Sequence, residues 1–427
     1  MTPTLARGLS PVRAVLDNGA VVLVQENRST PAVTINATVL AGSMYDPEEH
    51  PGLAYLTARV IDRGTERRSA AKIAEELDER GVALKAGTTR HAITVSCTCL
   101  TDDFAEVLAI VADVLRRPTF PGEELAKRRA ETITRLRQDE DNPSVRATDG
   151  LFELLYGSRH PYGRPLKGTV QTIECIDREQ IIGFHRRHFR PSVTSIAVVG
   201  DVRPEAVVDR ASEELETWTG EPAGSIVVPA PPARPGRRRA TIAMPGKSQA
   251  DIAYGFTTIS RLDPRYHAYW MMNNILGQFG LGGRLADNIR ERQGMAYYAF
   301  SAFDPSIGEG PLFVRAGVDP RNVERAIEAI DQEVRQLGVG GPTAVEMEET
   351  RAYLIGSIPR MFETNQSIAA FLQTSEQFGL GLDYDQRLPA LLEAVTIDEV
   401  GAAAAEVLAP EHASVTVAGP PEGEAPE

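Results

Sequence analysis

Val33, Ile35, Ala37 and Val39 alternate with Thr34, Asn36 and Thr38, the two-residue period of a strand whose faces differ in polarity. Before them, AVLDNGAVVLV (14–24) reads as a hairpin, because Asn18-Gly19 supplies the positive φ angles of a tight turn between two apolar runs. The period then lengthens. Helical spacing marks residues 51–63 and 69–80, with Ser69 as N-cap and Gly81 just past the end. HAITVSCTCL (91–100) returns to strand alternation, and long helical patterns fill 103–116 and 122–139 until EDNP interrupts them. The second half follows the same style, with strands near 240–257, helices near 264–292, strands near 296–318 and mostly helix thereafter.

Two observations turn this list into an architecture. Residues 225–240 contain Pro229, Pro231, Pro232 and Pro235; lost amide donors and fixed φ angles make this a linker between an N-terminal domain, 1–224, and a C-terminal domain, 241–427. In addition, TIECIDREQIIGFHRRHFRPSVTSIAVVGD (172–201) aligns with residues 391–420 at a constant offset, placing Glu174 over Glu393, Pro191 over Pro410 and Gly200 over Gly419. Each stretch reads as helix, proline-marked stop and strand, which predicts a duplicated domain. Strands paired early and helices gathered later predict an α+β fold, each domain a mainly antiparallel sheet with helices packed on one face.

Composition narrows the function. With 59 acidic and 45 basic residues the net charge is -14, which opposes nonspecific attraction to nucleic acid or anionic lipid, so neither is expected as a partner. No apolar run approaches the ~20 residues of a membrane span. Cys97, Cys99 and Cys175 form no paired framework and no zinc spacing, which predicts a reducing, cytoplasmic setting. GQFGLGGR (277–284) lacks the Lys-Ser/Thr of a phosphate loop. His185 and His188 share a helix face but lack a carboxylate nearby in sequence to orient them, and with His50 and His91 they read as structural.

The segments GLAYLTARVIDRGT (52–65), EDNP (140–143), HPYGRPLKGT (160–169), FRPSVTSIAVVGDV (189–202) and GRLADNIRERQGMAYYAFSAF (283–303) together resemble the pitrilysin superfamily. These are the inverted-motif zinc peptidases that include mitochondrial processing peptidase. The resemblance implies two homologous α/β-roll domains forming half of a clamshell. It also implies a zinc site on the helix after Gly-Leu-Ala, where active members carry H-x-x-E-H and a further glutamate 76 residues on. Here those positions are Tyr55, Ala58, Arg59 and Arg135. A phenol, a methyl and two guanidiniums offer neither zinc ligands nor a general base, so no metal is expected in this chain.

The second half departs less. Arg290 and Tyr297 match the family's arginine and tyrosine, seven residues apart, which face zinc across the chamber; both are donors suited to a developing oxyanion. The aligned first-half segment LDERGVAL places Leu77 and Leu84 at these positions, so the scaffold itself does not demand Arg and Tyr. For Gly280, Gly282 and Gly283 two readings stay open: a flexible helix connection, or peptide contact like that of the glycine-rich loop in the noncatalytic processing-peptidase subunit. The resemblance therefore implies a noncatalytic, substrate-binding subunit of a two-chain zinc metalloendopeptidase, with zinc carried by a homologous partner and an extended peptide as substrate. The alternative is a scaffolding protein that retains the fold without activity.

Overall fold

The computed structural model describes residues 8–221, 224, 227–233, 236–278 and 282–421. Two packing units make up the chain. The first contains the described residues within 1–136, 165–226 and 357–387; the second, those within 137–164, 227–356 and 388–427.

The first unit is built on a six-stranded sheet of β1 (Val12–Val15), β2 (Val21–Glu26), β3 (Ala32–Val39), β4 (Lys85–Thr88), β5 (Ile93–Leu100) and β6 (Thr194–Gly200), in the order β1-β2-β6-β3-β5-β4. Only the β2–β6 pairing is parallel. The β1–β2 connection turns through Gly19, whose φ of 89° lies in the left-handed region that favours glycine, whereas Asn18 does not take the positive φ expected of it and instead accepts from Ala20 N through Oδ1 at 3.1 Å. Ile93, Val95, Cys97 and Cys99 line one face of β5 and enter a core with Leu56, Val60, Val111 and Leu115 from the helices Leu53–Val60 and Phe104–Arg116. The opposite face of β3 carries Thr34, Asn36 and Thr38, yet these too are buried. The helix Asn365–Gln377 covers them: Gln373 Nε2 donates to the Asn36 carbonyl at 2.5 Å and the Ser195 carbonyl at 3.1 Å, and Asn365 Nδ2 to the Ala32 carbonyl at 3.1 Å. The helix thus bonds main-chain carbonyls of the covered face, while its polar side chains pair within the sheet: Thr34 Oγ1 lies 2.9 Å from Thr98 Oγ1, and Thr38 Oγ1 donates to Asn36 Oδ1 at 3.4 Å.

The second unit repeats the pattern with β7 (Arg238–Ala243), β8 (Ala250–Thr257), β9 (Ala296–Phe303), β10 (Pro311–Val318) and β11 (Ser414–Gly419), ordered β7-β11-β8-β10-β9. Its one parallel pairing, β7–β11, corresponds to β2–β6, and the edge strand β9 corresponds to β4. Gly200 and Gly419 each end the equivalent strand, so the offset read from the sequence is an offset between copies of one fold. Helices including Tyr266–Asn273 and Val323–Gly340 pack on one face of this sheet. The other face receives the helix Pro143–Tyr156, whose Leu151, Phe152, Leu155 and Tyr156 pack against Ala253, Ala418, Ile242 and Phe313. Gly150 makes the approach possible, because a Cβ there would lie 2.8 Å from Thr416 Cγ2.

The main helical layers lie on one face of each sheet, and each second face is covered by a helix from the opposite half of the sequence. The units therefore differ from the linear halves 1–224 and 241–427. EDNP does break a helix, but Asn142 caps the next one, accepting from Ser144 N at 3.0 Å with Pro143 in the first turn. The proline-rich segment is anchored rather than free: His160 Nε2 lies 2.9 Å from the Pro229 carbonyl, and Val228 packs on the second unit's core. Among the described residues no helix is long and apolar enough to cross a membrane.

Candidate functional site

The helix that would carry a zinc motif is held at its start by Asp46, itself buried, whose carboxylate accepts from Gly52 N and Ala54 N at 2.8 Å each. Gly52 has φ 94°, and a Cβ there would lie 2.6 Å from the Lys167 carbonyl oxygen, so glycine is required for the close approach of the two segments. On this helix Ala58 is buried, while Tyr55 and Arg59 are half-buried. Arg59 Nη2 donates to Glu131 Oε2 at 2.9 Å, and Arg128 Nη1 reaches the same oxygen at 2.5 Å. Glu131 lies on the helix Gly122–Glu140, one helical turn before the exposed Arg135. Burial acts to raise the Glu131 carboxyl, but the hydrogen bond from Arg128 and the charges of Arg128 and Arg59 outweigh it and hold it below the usual range.

An arginine-carboxylate network bridges these two helices, at positions where the family resemblance implies a metal. The donor set does not fit zinc. Tyr55, Ala58, Arg59 and Arg135 supply no imidazole or carboxylate, the nearby Glu131 is engaged by two guanidiniums, and like charge would repel a dication. Among the described residues, no group of three or more His, Cys, Asp or Glu side chains could hold a metal ion. Glu131 was not singled out in the sequence; its position four residues before Arg135, in an arginine-rich helix, was the available signal.

In the second unit, Arg290 and Tyr297 both stand on irregular backbone. Arg290 belongs to a π-helical turn, Ala286–Arg292, in which Ala286 and Ile289 are buried while the Arg290 side chain is 42% exposed. The turn is fixed by Arg284, which makes a two-pronged ion pair to Glu346 at 2.6 and 2.9 Å, and by Asn288 Nδ2 donating to the buried Glu333 at 2.5 Å. Gly294, at φ 61°, ends it, and Met295 N returns to the Ile289 carbonyl at 3.0 Å. Across β9 and β10, Tyr298 pairs with Gly317 and Ala296 with Val318. Tyr297 is therefore the extra residue of a β-bulge on the edge strand, and it is 84% exposed. Both π-turns and bulges are devices that re-aim side chains and recur at functional sites. Gly81, at φ 64°, ends the corresponding first-unit helix, but Leu77 is buried and Leu84 packs against the core.

Of the three glycines, Gly280 lies outside the described residues. Gly282 is exposed, and Gly283 is buried against Gly277, where a Cβ would meet Gly277 Cα at 2.7 Å. Gly283 thus serves close packing between the ends of the loop. The histidines are packing groups. His185 Nε2 lies 2.8 Å from the Leu115 carbonyl, its ring stacked on Phe189; His188 packs on Tyr45 and Phe184; the buried His91 contacts Met44, and His50 contacts Gln180.

Burial lowers His91, His185 and His188 from the ordinary 6.5 to about 4. Between those values the unfolded chain binds protons that the folded chain refuses, so stability is full above about 6.5 and falls as pH drops toward 4. The slope is up to about 1.4 kcal/mol per pH unit for each histidine. Urea unfolding at pH 7 and pH 5 should show this loss, and His185→Gln should remove about one histidine's share of the slope. An unchanged slope in that variant would show that His185 charges as readily folded as unfolded.

The two sheets of matching strand order, each with its main helical layer on one face, define the fold. Residues 21–170 match the family described as insulinase (peptidase family M16), and residues 176–354 match the peptidase M16 inactive domain. The chain belongs to this insulinase, or M16, family. It is 26% identical over 428 residues to an uncharacterized zinc protease of Streptomyces coelicolor, covering 98% of this chain and 92% of that one. It is 24% identical over 361 residues to an uncharacterized zinc protease of Bacillus subtilis, covering 83% and 85%. The crystal structure of a peptidase M16 inactive domain from Pseudomonas fluorescens superimposes with a TM-score of 0.91 at 26% identity, covering 98% of this chain and all of that one. A protease from Helicobacter pylori shares the fold, with a TM-score of 0.87 at 17% identity over 96% of this chain and all of that one.

Proposed function

We propose that this chain is the noncatalytic, substrate-binding subunit of a two-chain zinc metalloendopeptidase, lending Arg290 and Tyr297 to a site whose zinc is carried by a homologous partner. The observation that carries the reading is an asymmetry: of the four motif positions of the first unit none offers a zinc ligand and Arg59 is tied into an ion-pair network, while the second unit leaves Arg290 and Tyr297 exposed on a π-turn and a bulge. A guanidinium and a phenol can donate to the carbonyl oxygen of a peptide as negative charge develops on it. Tyr297 stands on the edge strand β9, a setting in which an extended peptide can bind by backbone hydrogen bonds. Gly280 and Gly282 belong to the segment proposed to contact that peptide. The unpaired cysteines accord with a cytoplasmic location.

Purification tests this directly. The chain alone should contain no stoichiometric zinc and cleave no unfolded peptide, and affinity purification from its host should recover a chain of similar length that holds zinc. One tightly bound zinc per chain, lost together with activity on chelation, would overturn the proposal. Recovery of neither zinc nor a zinc-bearing partner would leave a scaffold as the better account.

A further inference from the structure

Beside the N-terminus of the helix Pro143–Tyr156, the second unit carries a solvent-open pocket of about 440 Å³ lined by Asn142, Lys247, Asp251, Tyr298, Phe300 and Arg315 among others. Its floor is the face of the sheet on which Asp251, Gly317 and Tyr298 pair in register across β8, β10 and β9. Gly317 lets the Tyr298 ring lie across the sheet, since a Cβ there would come within 2.7 Å of Tyr298 Cε1. The Tyr298 hydroxyl thereby reaches the buried Asp251 carboxylate, which also accepts from Gln249 Nε2 at 3.1 Å. The one anion in the lining is thus satisfied by neutral donors.

The cations are not balanced in the same way. Lys247 pairs with Asp141 at the rim, at 2.6 Å. Arg315 is half-buried, with its guanidinium carbon 5.7 Å from the Phe300 ring centre and 6.0 Å from that of Tyr298. Among the described residues no carboxylate or carbonyl takes its hydrogen bonds. The Arg315 guanidinium, with five planar donors, thus lines a pocket large enough for an amino-acid-sized group, with two aromatic rings as an apolar shelf. A carboxylate is the group whose two oxygens match a guanidinium fork.

We propose that this pocket binds an organic monocarboxylate, with its carboxylate on Arg315 and its apolar side group against Phe300 and Tyr298. The C-terminal residue of a peptide and a small free organic acid share that chemistry. The site uses neither Arg290 nor Tyr297, so it stands or falls apart from the function proposed above.

Calorimetric titration of the full chain with acetyl-Gly-Gly-Phe, with the same peptide carrying a C-terminal amide, and with 3-phenylpropionate tests it. The free acid should bind at least about tenfold more tightly than the amide. Arg315→Gln should remove that preference, Arg315→Lys should retain part of it, and Lys247→Gln should weaken it by a smaller factor. Phenylpropionate binding as tightly as the peptide acid identifies a small acid as the ligand; much weaker binding identifies a peptide terminus. Equal affinity for acid and amide, no binding of either acid at millimolar concentration, or an undiminished preference in a folded Arg315→Gln variant would each overturn the proposal. Should Arg315→Gln not fold, the acid-amide comparison and Lys247→Gln still decide it.

Discussion

In a complex reconstituted with the proposed zinc-bearing partner, Arg290→Ala or Tyr297→Phe should lower turnover roughly a hundred- to thousandfold while leaving assembly intact. That is the ~2.7–4 kcal/mol typical of removing one donor to a developing oxyanion. Such a donor acts on charge that grows in the transition state, so the loss should appear in kcat more than in ground-state peptide affinity. The structure makes the test clean. Tyr297 is 84% exposed, and among the described residues the only ion pair of Arg290 is to its exposed neighbour Glu291 at 3.5 Å; neither side chain supports the fold appreciably. Leu77→Ala and Leu84→Ala, in the corresponding first-unit segment, should instead act through packing and stability. Steady-state kinetics with complex formation followed separately would distinguish these cases. Near-normal turnover in both the Arg290 and Tyr297 variants would remove their assigned role and favour a scaffold.

Much of this arrangement was legible because it rests on local rules. The alternation of β5, the glycine turn at Gly19, the Ser69 cap, which accepts from Lys72 N at 3.2 Å, and the offset that aligns Gly200 with Gly419 are short-range signals that tertiary packing reinforces. The features that give Arg290 and Tyr297 their setting were not legible. A π-turn and a one-residue bulge are choices of backbone register that the same residues could make otherwise, and packing against Glu333 and β10 selects them. The Arg59–Glu131 bridge joins residues 72 apart, and the carboxylate pocket gathers side chains from separate stretches of the second unit, so neither leaves a motif. The burial of Thr34, Asn36 and Thr38 escaped for the same reason: their cover, Asn365–Gln377, lies more than 300 residues away, and nothing local announces it.

That exchange of helices has a large consequence for folding. A fragment 1–226 would keep β1–β6 but lack the 357–387 segment of its own unit, and it would carry the helix Pro143–Tyr156 with Leu151, Phe152, Leu155 and Tyr156 stripped of their sheet. A fragment 227–427 would expose Ala253, Ala418, Ile242 and Phe313 in turn. Neither fragment alone should show a cooperative melt, whereas the two co-expressed should copurify and melt together, because each supplies the helix that closes the other's sheet. A point substitution localises the effect. Leu151 is fully buried, and Leu151→Ala should cost about 2–5 kcal/mol through the lost apolar contact and the cavity left behind. Though Leu151 lies in the first half of the sequence, its loss should lower hydrogen-exchange protection first in β8 and β11, which its helix packs against, and spare β3 and β5. Protection lost in β3 and β5 instead, or a fragment 1–226 that melts cooperatively with native-like exchange, would show that the linear halves are the folding units and that the exchanged helices contribute little to either.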